Sequence, residues 1–281
     1  MNSKMIFMDP EVEWGDEYFP DLHDIKINSH GEKLIGIMLT PGKKGPNPTV
    51  ILLHGFPGYE DNHDLSHSLR RCGLNVLTFH YRGCWGVRGK FTFSNCIEDV
   101  NKAIDFVTNE DNIKTYDIDR NNIFLVGHSM GGFLTLINCT DKRIKASVSI
   151  SPYDFGLKGC LMKENEEELR DGINMFSTAI LPLNDTDTMA LIRETIINGD
   201  DWKLSNKAEQ LSKENILIIA ARGDIVGPNK LHHIPLMKEI YKYNENNVKE
   251  IFMSTDHSYS NKRILLSKVV AEYIESIYKD L

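Results

Sequence analysis

The chain is poor in cysteine, and what it has is unpaired in pattern. Cys72, Cys84, Cys96, Cys139 and Cys160 are an odd set with no Cys-x-x-Cys among them. Such spacing fits free thiols in a reducing compartment better than a disulfide framework. Also missing is any run of about 18 consecutive apolar residues, so no membrane span is expected. Met5 to Met8 is too short an apolar stretch for a secretion signal and is followed by Asp9, Glu11 and Glu13, which makes the cytoplasm the expected location. Positive charge is not in excess: 40 acidic residues against 32 basic ones leave a formal charge of -8. That balance argues against nucleic acid or an anionic membrane as the main partner, and it leaves self-association into a homo-oligomer open. No His-Glu-x-x-His pattern occurs among the 10 histidines. Asp185, Asp187 and Asp200 follow no calcium-loop spacing, and the glycines after Ser129 do not form a dinucleotide fingerprint, so no metal and no cofactor is expected. There is no internal repeat and no low-complexity segment.

What is present is a chain of 281 residues, 41% hydrophobic, long enough to bury a large core as one domain with or without an insertion. Residues 1–20, with Trp14, Tyr18 and Phe19, read as an N-terminal strand or an arm over the surface. Ile25 and Ile27 alternate with polar neighbours, Ser29 to Glu32 turns, and Leu34 to Leu39 follows, which is a hairpin signal. Continuous apolar runs at Thr49–Leu53 and Asn75–Phe79, with further strands at 122–126 and 146–150, read as buried strands of a mostly parallel sheet. Helical spacing at 63–72, 95–108 and 131–139 alternates with them. The succession predicts a doubly wound α/β sheet. From Pro152 to Leu204 the rhythm stops. A charged run from Lys163 to Arg170 and helical stretches near 171–180 and 186–197 read as a helical insertion over 152–204, between core segments 1–151 and 205–281. The α/β pattern resumes with strands at 216–220 and 249–253 and helices near 229–243 and 262–279.

The most informative stretch is Val-Gly-His-Ser-Met-Gly-Gly, Val126 to Gly132. A serine between small residues, after a strand and before a helix, must sit on a sharp turn that pushes its hydroxyl out of the fold. Alone, Gly-x-Ser-x-Gly recurs by chance; the flanking strand and helix give it weight. An alcohol needs a base to become a nucleophile. His257 follows strand 249–253 and Asp224 follows strand 216–220. Loops after successive parallel strands emerge at one edge, so Ser129, Asp224 and His257 can converge, with His257 as base and Asp224 fixing its tautomer. Asp256 is a weaker rival to Asp224, as are His54, His232 and His233 to His257. The backbone N–H groups of Met130 and Phe56 are the candidate oxyanion donors; Pro57 has none to offer. His54 is read as a support for the oxyanion loop and His128 as a neighbour of the elbow or a lining of its mouth, and both are also candidate substrate contacts. Tyr81, Arg82 and Asp154 are candidate substrate contacts, although a buried ion pair suits Arg82 equally well. Glu166–Glu168 read as a solvated helix face.

These segments resemble the α/β-hydrolases, and within them the compact serine esterases and peptidases related to the prolyl oligopeptidase catalytic domain and to dienelactone hydrolase. The resemblance rests on Gly127-His-Ser-Met-Gly-Gly132, His80-Tyr-Arg-Gly-Cys-Trp-Gly86, Asn95-Cys-Ile-Glu-Asp-Val100, Gly223-Asp-Ile-Val-Gly-Pro228 and Asp256-His-Ser-Tyr259. His54-Gly-Phe-Pro-Gly58 is similar to the loop of cinnamoyl (feruloyl-type) esterases. The resemblance covers about residues 22–279 apart from the insertion. It implies a catalytic triad of Ser129, Asp224 and His257, an oxyanion hole of Phe56 and Met130, and a cap at 152–204. No propeller precedes the domain, so the size filter of large oligopeptidases is expected to be absent. The implied chemistry is acyl transfer to water from a small ester or, alternatively, a short peptide; a non-catalytic scaffold is the reading from another class.

Overall fold

The computed structural model describes residues 1–8, 18–243 and 246–279. Its strands are β1 (Asp21–Ser29), β2 (Glu32–Thr40), β3 (Asn47–Leu53), β4 (Asn75–Phe79), β5 (Ile118–His128), β6 (Ala146–Ile150), β7 (Ile216–Ala221) and β8 (Val248–Met253). They form one sheet in the order β1-β2-β4-β3-β5-β6-β7-β8. β1 and β2 are antiparallel, and β2 runs antiparallel to β4; every other pairing is parallel. The helices are α1 (His63–Arg71), α2 (Phe93–Thr108), α3 (Glu110–Thr115), α4 (Met130–Asn138), α5 (Phe155–Glu164), α6 (Glu166–Ser177), α7 (Thr188–Ile197), α8 (Gly199–Trp202), α9 (Ala208–Leu211), α10 (Ile234–Ile240) and α11 (Arg263–Lys279).

The hairpin closes through His30 and Gly31, both at positive φ (48° and 90°), the backbone that a two-residue turn between twisted strands demands. All of β3 is buried. Its Ile51 and Leu53 enter the core under α2 and α4, while Val50 and Leu52 enter the core under α1 and α11. A strand buried on both faces shows no polar alternation, which is why its sequence is a continuous apolar run. At the N-terminus, Ser3–Phe7 forms a 3₁₀ turn tied down by Asn2 N–H to Cys72 O (2.8 Å) and Ser3 N–H to Glu275 Oε2 (3.2 Å). Trp14 lies outside the described residues.

Some boundaries depart from the sequence reading, each for a local reason. α10 starts only at Ile234, because Pro235 belongs in a first turn and the preceding residues turn back, with Asn229 Nδ2 donating to Ala221 O at 2.7 Å. α3 has no buried residue and so leaves no hydrophobic period; it stands on its Asn109 cap. The charged run Lys163–Arg170 is split at Asn165, whose side chain accepts from the N–H groups of Glu167 and Glu168 and starts α6. Three glutamates in that first turn suit the positive end of the helix. Glu168 also pairs with buried Lys158.

Helices α5 to α8 lie between β6 and β7 and are fastened to the core at several points. Trp85 N–H donates to Pro182 O (2.9 Å), Asn184 N–H to Gly83 O (2.8 Å) and Phe91 N–H to Asn184 O (3.0 Å). Glu194, on α7, accepts from Phe93 N–H, Ser94 N–H and Ser94 Oγ at 3.0, 2.8 and 2.7 Å, so it caps α2 from across the fold. No helix among the described residues is long and apolar enough to cross a membrane, and the five cysteines are unpaired.

Candidate active site

β5 ends at His128 and α4 begins at Met130, so Ser129 alone makes the turn. Its backbone sits at φ 58° and ψ -114°, a conformation that costs about 1–3 kcal/mol and persists only when surroundings over-determine it. They do. Ser129 N–H donates to Ile150 O at 2.9 Å, and Ser129 O accepts from Phe133 and Tyr153 N–H groups at 3.0 and 3.2 Å. A side chain on Gly131 would bring its Cβ within 2.1 Å of Leu53 O, so only glycine lets α4 approach β3 here. Ser129 is largely buried, and its Oγ has no hydrogen-bond partner among the described residues.

The loop after β7 brings Asp224 to the same edge of the sheet, and the loop after β8 brings His257. His257 Nδ1 and Asp224 Oδ2 are 2.7 Å apart. The other carboxylate oxygen accepts from Val226 and Gly227 N–H groups at 3.0 and 2.7 Å. Burial pushes the Asp224 pKa up, but the hydrogen bond and charge of His257, then the Gly227 N–H and the Ser151 hydroxyl, outweigh it and hold it below the ordinary carboxylate value. The His257 loop is itself pinned: His128 Nε2 lies 2.7 Å from His257 O, and the two rings are 4.8 Å apart. Burial, with His257 nearby, pushes His128 down to about 3, so it is neutral and acts as the donor in that bond. Asp256 instead accepts from Ser260 N–H and Oγ at the surface.

The loop after β3 passes directly over the elbow. A Cβ on Gly55 would lie 3.2 Å from Ser129 Cβ and 3.3 Å from His128 O. The next N–H, of Phe56, has no acceptor among the described residues, and Met130 N–H opens α4 without an intrahelical partner. His54 governs this loop. Its Nδ1 donates to Gly55 O at 2.7 Å. That carbonyl and the Phe56 N–H belong to one peptide plane, so a hold on the oxygen sets the direction of the N–H. Burial and then His80 push His54 down to about 3, which keeps it neutral. Tyr81 supports it from behind, with its hydroxyl donating to His54 O at 3.2 Å.

The other candidates are engaged elsewhere. Arg82 binds Asp99 through Nε at 2.6 Å and its own N–H at 2.8 Å, and reaches Glu98 at 2.6 Å. Asp99 is completely buried and also takes Ser29 Oγ at 2.6 Å, so Arg82 is the buried ion pair that the sequence left open. Asp154 is buried: Oδ1 caps α5 at Leu157 N–H (2.9 Å), and Oδ2 accepts Leu204 N–H (3.1 Å), tying the two ends of the inserted stretch together. His232 Nδ1 accepts Asp154 N–H, and His233 pairs with Glu250. The Phe56 ring packs on an aromatic cluster of the core. The Phe56 ring lies 5.5 Å from Phe93 and 5.6 Å from Phe176, and Phe155 lies 4.3 Å from Phe93. Phe155 and Phe176 come from α5 and α6, and nothing in their local sequence marks them as neighbours of Phe56.

The chain belongs to the alpha/beta hydrolase family, which it matches over residues 50–212, more than half its length. Solved structures place the whole fold in that company. An esterase from Pyrococcus furiosus is 18% identical with a TM-score of 0.68 over 92% of this chain and 91% of that one. Est1E from Butyrivibrio proteoclasticus, with ferulic acid bound, is 18% identical with a TM-score of 0.66 over 90% and 99%. A putative dipeptidyl aminopeptidase IV from Bacteroides ovatus is 17% identical with a TM-score of 0.67; it covers 95% of this chain but only 37% of its own. No curated protein matches the chain.

Proposed function

We propose that this chain is a serine hydrolase that cleaves carboxylic esters of small to medium acyl groups through an acyl-enzyme intermediate. The observation that carries the reading is the 2.7 Å contact between Asp224 and His257 at the sheet edge where Ser129 occupies a strained turn. In this mechanism Ser129 Oγ attacks the ester carbonyl as His257 Nε2 takes its proton. The carbonyl oxygen becomes an oxyanion that accepts from the Phe56 and Met130 N–H groups, each worth about 3 kcal/mol in the transition state. His257 then returns the proton to the departing alkoxide. Water attacks the acyl carbon as His257 takes its proton, and His257 then gives that proton to Ser129 Oγ as the acid leaves. Asp224 stabilises the imidazolium and holds its tautomer.

Two features favour esters over peptides. Of the charged candidates for gripping a peptide terminus, Asp154 and Arg82 are buried and already bonded, which leaves exposed Glu164 at the end of α5. The partly exposed Phe56 ring, backed by buried Phe93 and Phe176, is an apolar surface that suits an acyl chain or ring. A fluorophosphonate probe tests the nucleophile: labelling of the native chain and none of Ser129→Ala is expected. Turnover of p-nitrophenyl esters from acetate to octanoate is then compared with aminoacyl p-nitroanilides. Failure to label folded protein points to a binding scaffold, and turnover of the anilides alone makes it a peptidase.

A further inference from the structure

A cavity of about 190 Å³ is lined by His54, Asp61, His63, Thr78 and His80 among others, and Ser129, Asp224 and His257 are not in its lining. His54 ends the run from β3 and His80 the run from β4, two adjacent parallel strands, so topology brings their rings together. His54 Nε2 and His80 Nδ1 are 3.4 Å apart. Two nitrogens on a tetrahedral zinc, each about 2.05 Å from the metal, stand about 3.3 Å apart. A carboxylate oxygen of Asp61 completes a trio of ligand atoms that all lie within 4.8 Å of one another. Asp61 comes from the loop before α1, and its Oδ1 is buried with no hydrogen-bond partner among the described residues.

We propose that His54, Asp61 and His80 form a binding site for a divalent transition metal, zinc by preference, that braces the oxyanion loop. The donor set decides the class: two imidazoles and one carboxylate suit zinc and its neighbours, whereas magnesium and calcium favour oxygen alone. The His54 tautomer is already set for the task. Because His54 Nδ1–H donates to Gly55 O, its Nε2 carries the lone pair and accepts from His80 Nδ1–H at 3.4 Å. A bound metal takes the place of that proton, and His80 then carries its proton on Nε2. Metal-ligating histidines characteristically give their second N–H to such a carbonyl. The half-buried Asp61 carboxylate turns through a small angle to close the gap, and a water completes four-coordination. His63 stands at the mouth, with Nε2 3.7 Å from Asp61 Oδ2. A cation on Nε2 strengthens the Nδ1–H as a donor, and through the Gly55–Phe56 peptide it stiffens the Phe56 N–H. Only that last consequence rests on the esterase reading; the site itself does not.

Untagged, metal-stripped protein titrated with Co²⁺ tests the proposal. Expected are one Co²⁺ per chain, the intense visible bands of four-coordinate cobalt, and displacement by Zn²⁺. His80→Ala and Asp61→Asn should each weaken binding at least tenfold, while Ser129→Ala should bind like the native chain. Circular dichroism confirms that each variant is folded, and Asp61→Asn, nearly isosteric, decides the matter should His80→Ala not fold. No cobalt bands, or equal affinity in the native chain and a folded Asp61→Asn, overturns the site. Loss of fluorophosphonate labelling with cobalt binding intact would overturn the esterase reading and leave the site standing.

Discussion

Asp224→Asn isolates what the carboxylate does, because the surrounding hydrogen bonds dictate how the amide must sit. Asp224 Oδ1 accepts two backbone N–H groups, from Val226 at 3.0 Å and Gly227 at 2.7 Å, while Oδ2 faces His257 Nδ1 at 2.7 Å. An asparagine can keep its carbonyl on the two N–H groups or on His257, not both. Turning its NH₂ toward Val226 and Gly227 would leave two buried donors unpaired, at about 1–3 kcal/mol each. The carbonyl therefore stays where it is, and the NH₂ faces His257 Nδ1. A donor there forces the imidazole to carry its proton on Nε2, the nitrogen that must accept the Ser129 proton. The expected loss in kcat is about 10⁴-fold, near 5.5 kcal/mol, with the fold and melting behaviour nearly unchanged. Steady-state hydrolysis of p-nitrophenyl butyrate measures it, and the fluorophosphonate labelling rate should fall in parallel. Asp256→Asn is the control and should be near neutral, since the exposed Asp256 carboxylate hydrogen-bonds to Ser260 rather than to the His257 ring. A folded Asp224→Asn within tenfold of the native rate would refute the assignment of Asp224 as the partner that orients His257.

Three further outcomes follow from the packing and the charges. Gly131→Ala should lose about 3 kcal/mol or more in urea unfolding, because its Cβ falls 2.1 Å from Leu53 O and a backbone carbonyl cannot step aside; a loss under 1 kcal/mol would mean the elbow has slack. Phe176→Ala removes a fully buried ring 5.6 Å from Phe56 and should cost about 3–5 kcal/mol while shifting chain-length preference toward bulkier acyl groups; an unchanged preference in an ester series would take Phe176 out of the pocket wall. Burial pushes His128 and His232 down to about 3, so the unfolded chain takes up protons that the native chain refuses, and stability should decline as pH falls from about 6.5 toward 3. Asp224 acts lower: held below its unfolded value of about 3.9, it contributes fully above that pH and loses its contribution as pH falls through the native value. Urea midpoints between pH 7 and 3 measure both effects, and a flat profile from 7 to 5 would contradict the histidine part.

Those features that answer to a local rule were legible in the chain. β3 and β4 read directly because strands buried on two faces lack polar alternation, and Val126–Gly132 read because the close-packed backbones on either side of the strained serine admit only glycine at 127 and 131. That Asp224 and His257 meet follows from topology, since they lie after successive parallel strands. The inserted stretch was only half legible. Its helices pack on one another and on the loop after β4, so their apolar faces are broad and irregular, and the break at Asn165 hides inside a run of charges. Glu194 as a cap for α2, or Asp61 beside His54 and His80, had no signal at all. Each is a meeting of residues far apart in sequence whose local surroundings say nothing about the partner.

Glu194 also bears on how substrate reaches the serine. It grips α2 through three hydrogen bonds, while Asp154 clasps the two ends of the same inserted stretch. A stretch held at both ends and in its middle is fastened to the core rather than hinged on it, so hydrolysis at the proposed site is expected to show no dependence on an opening step. Cutting the tether at Glu194 is the way to give this enzyme a hinge.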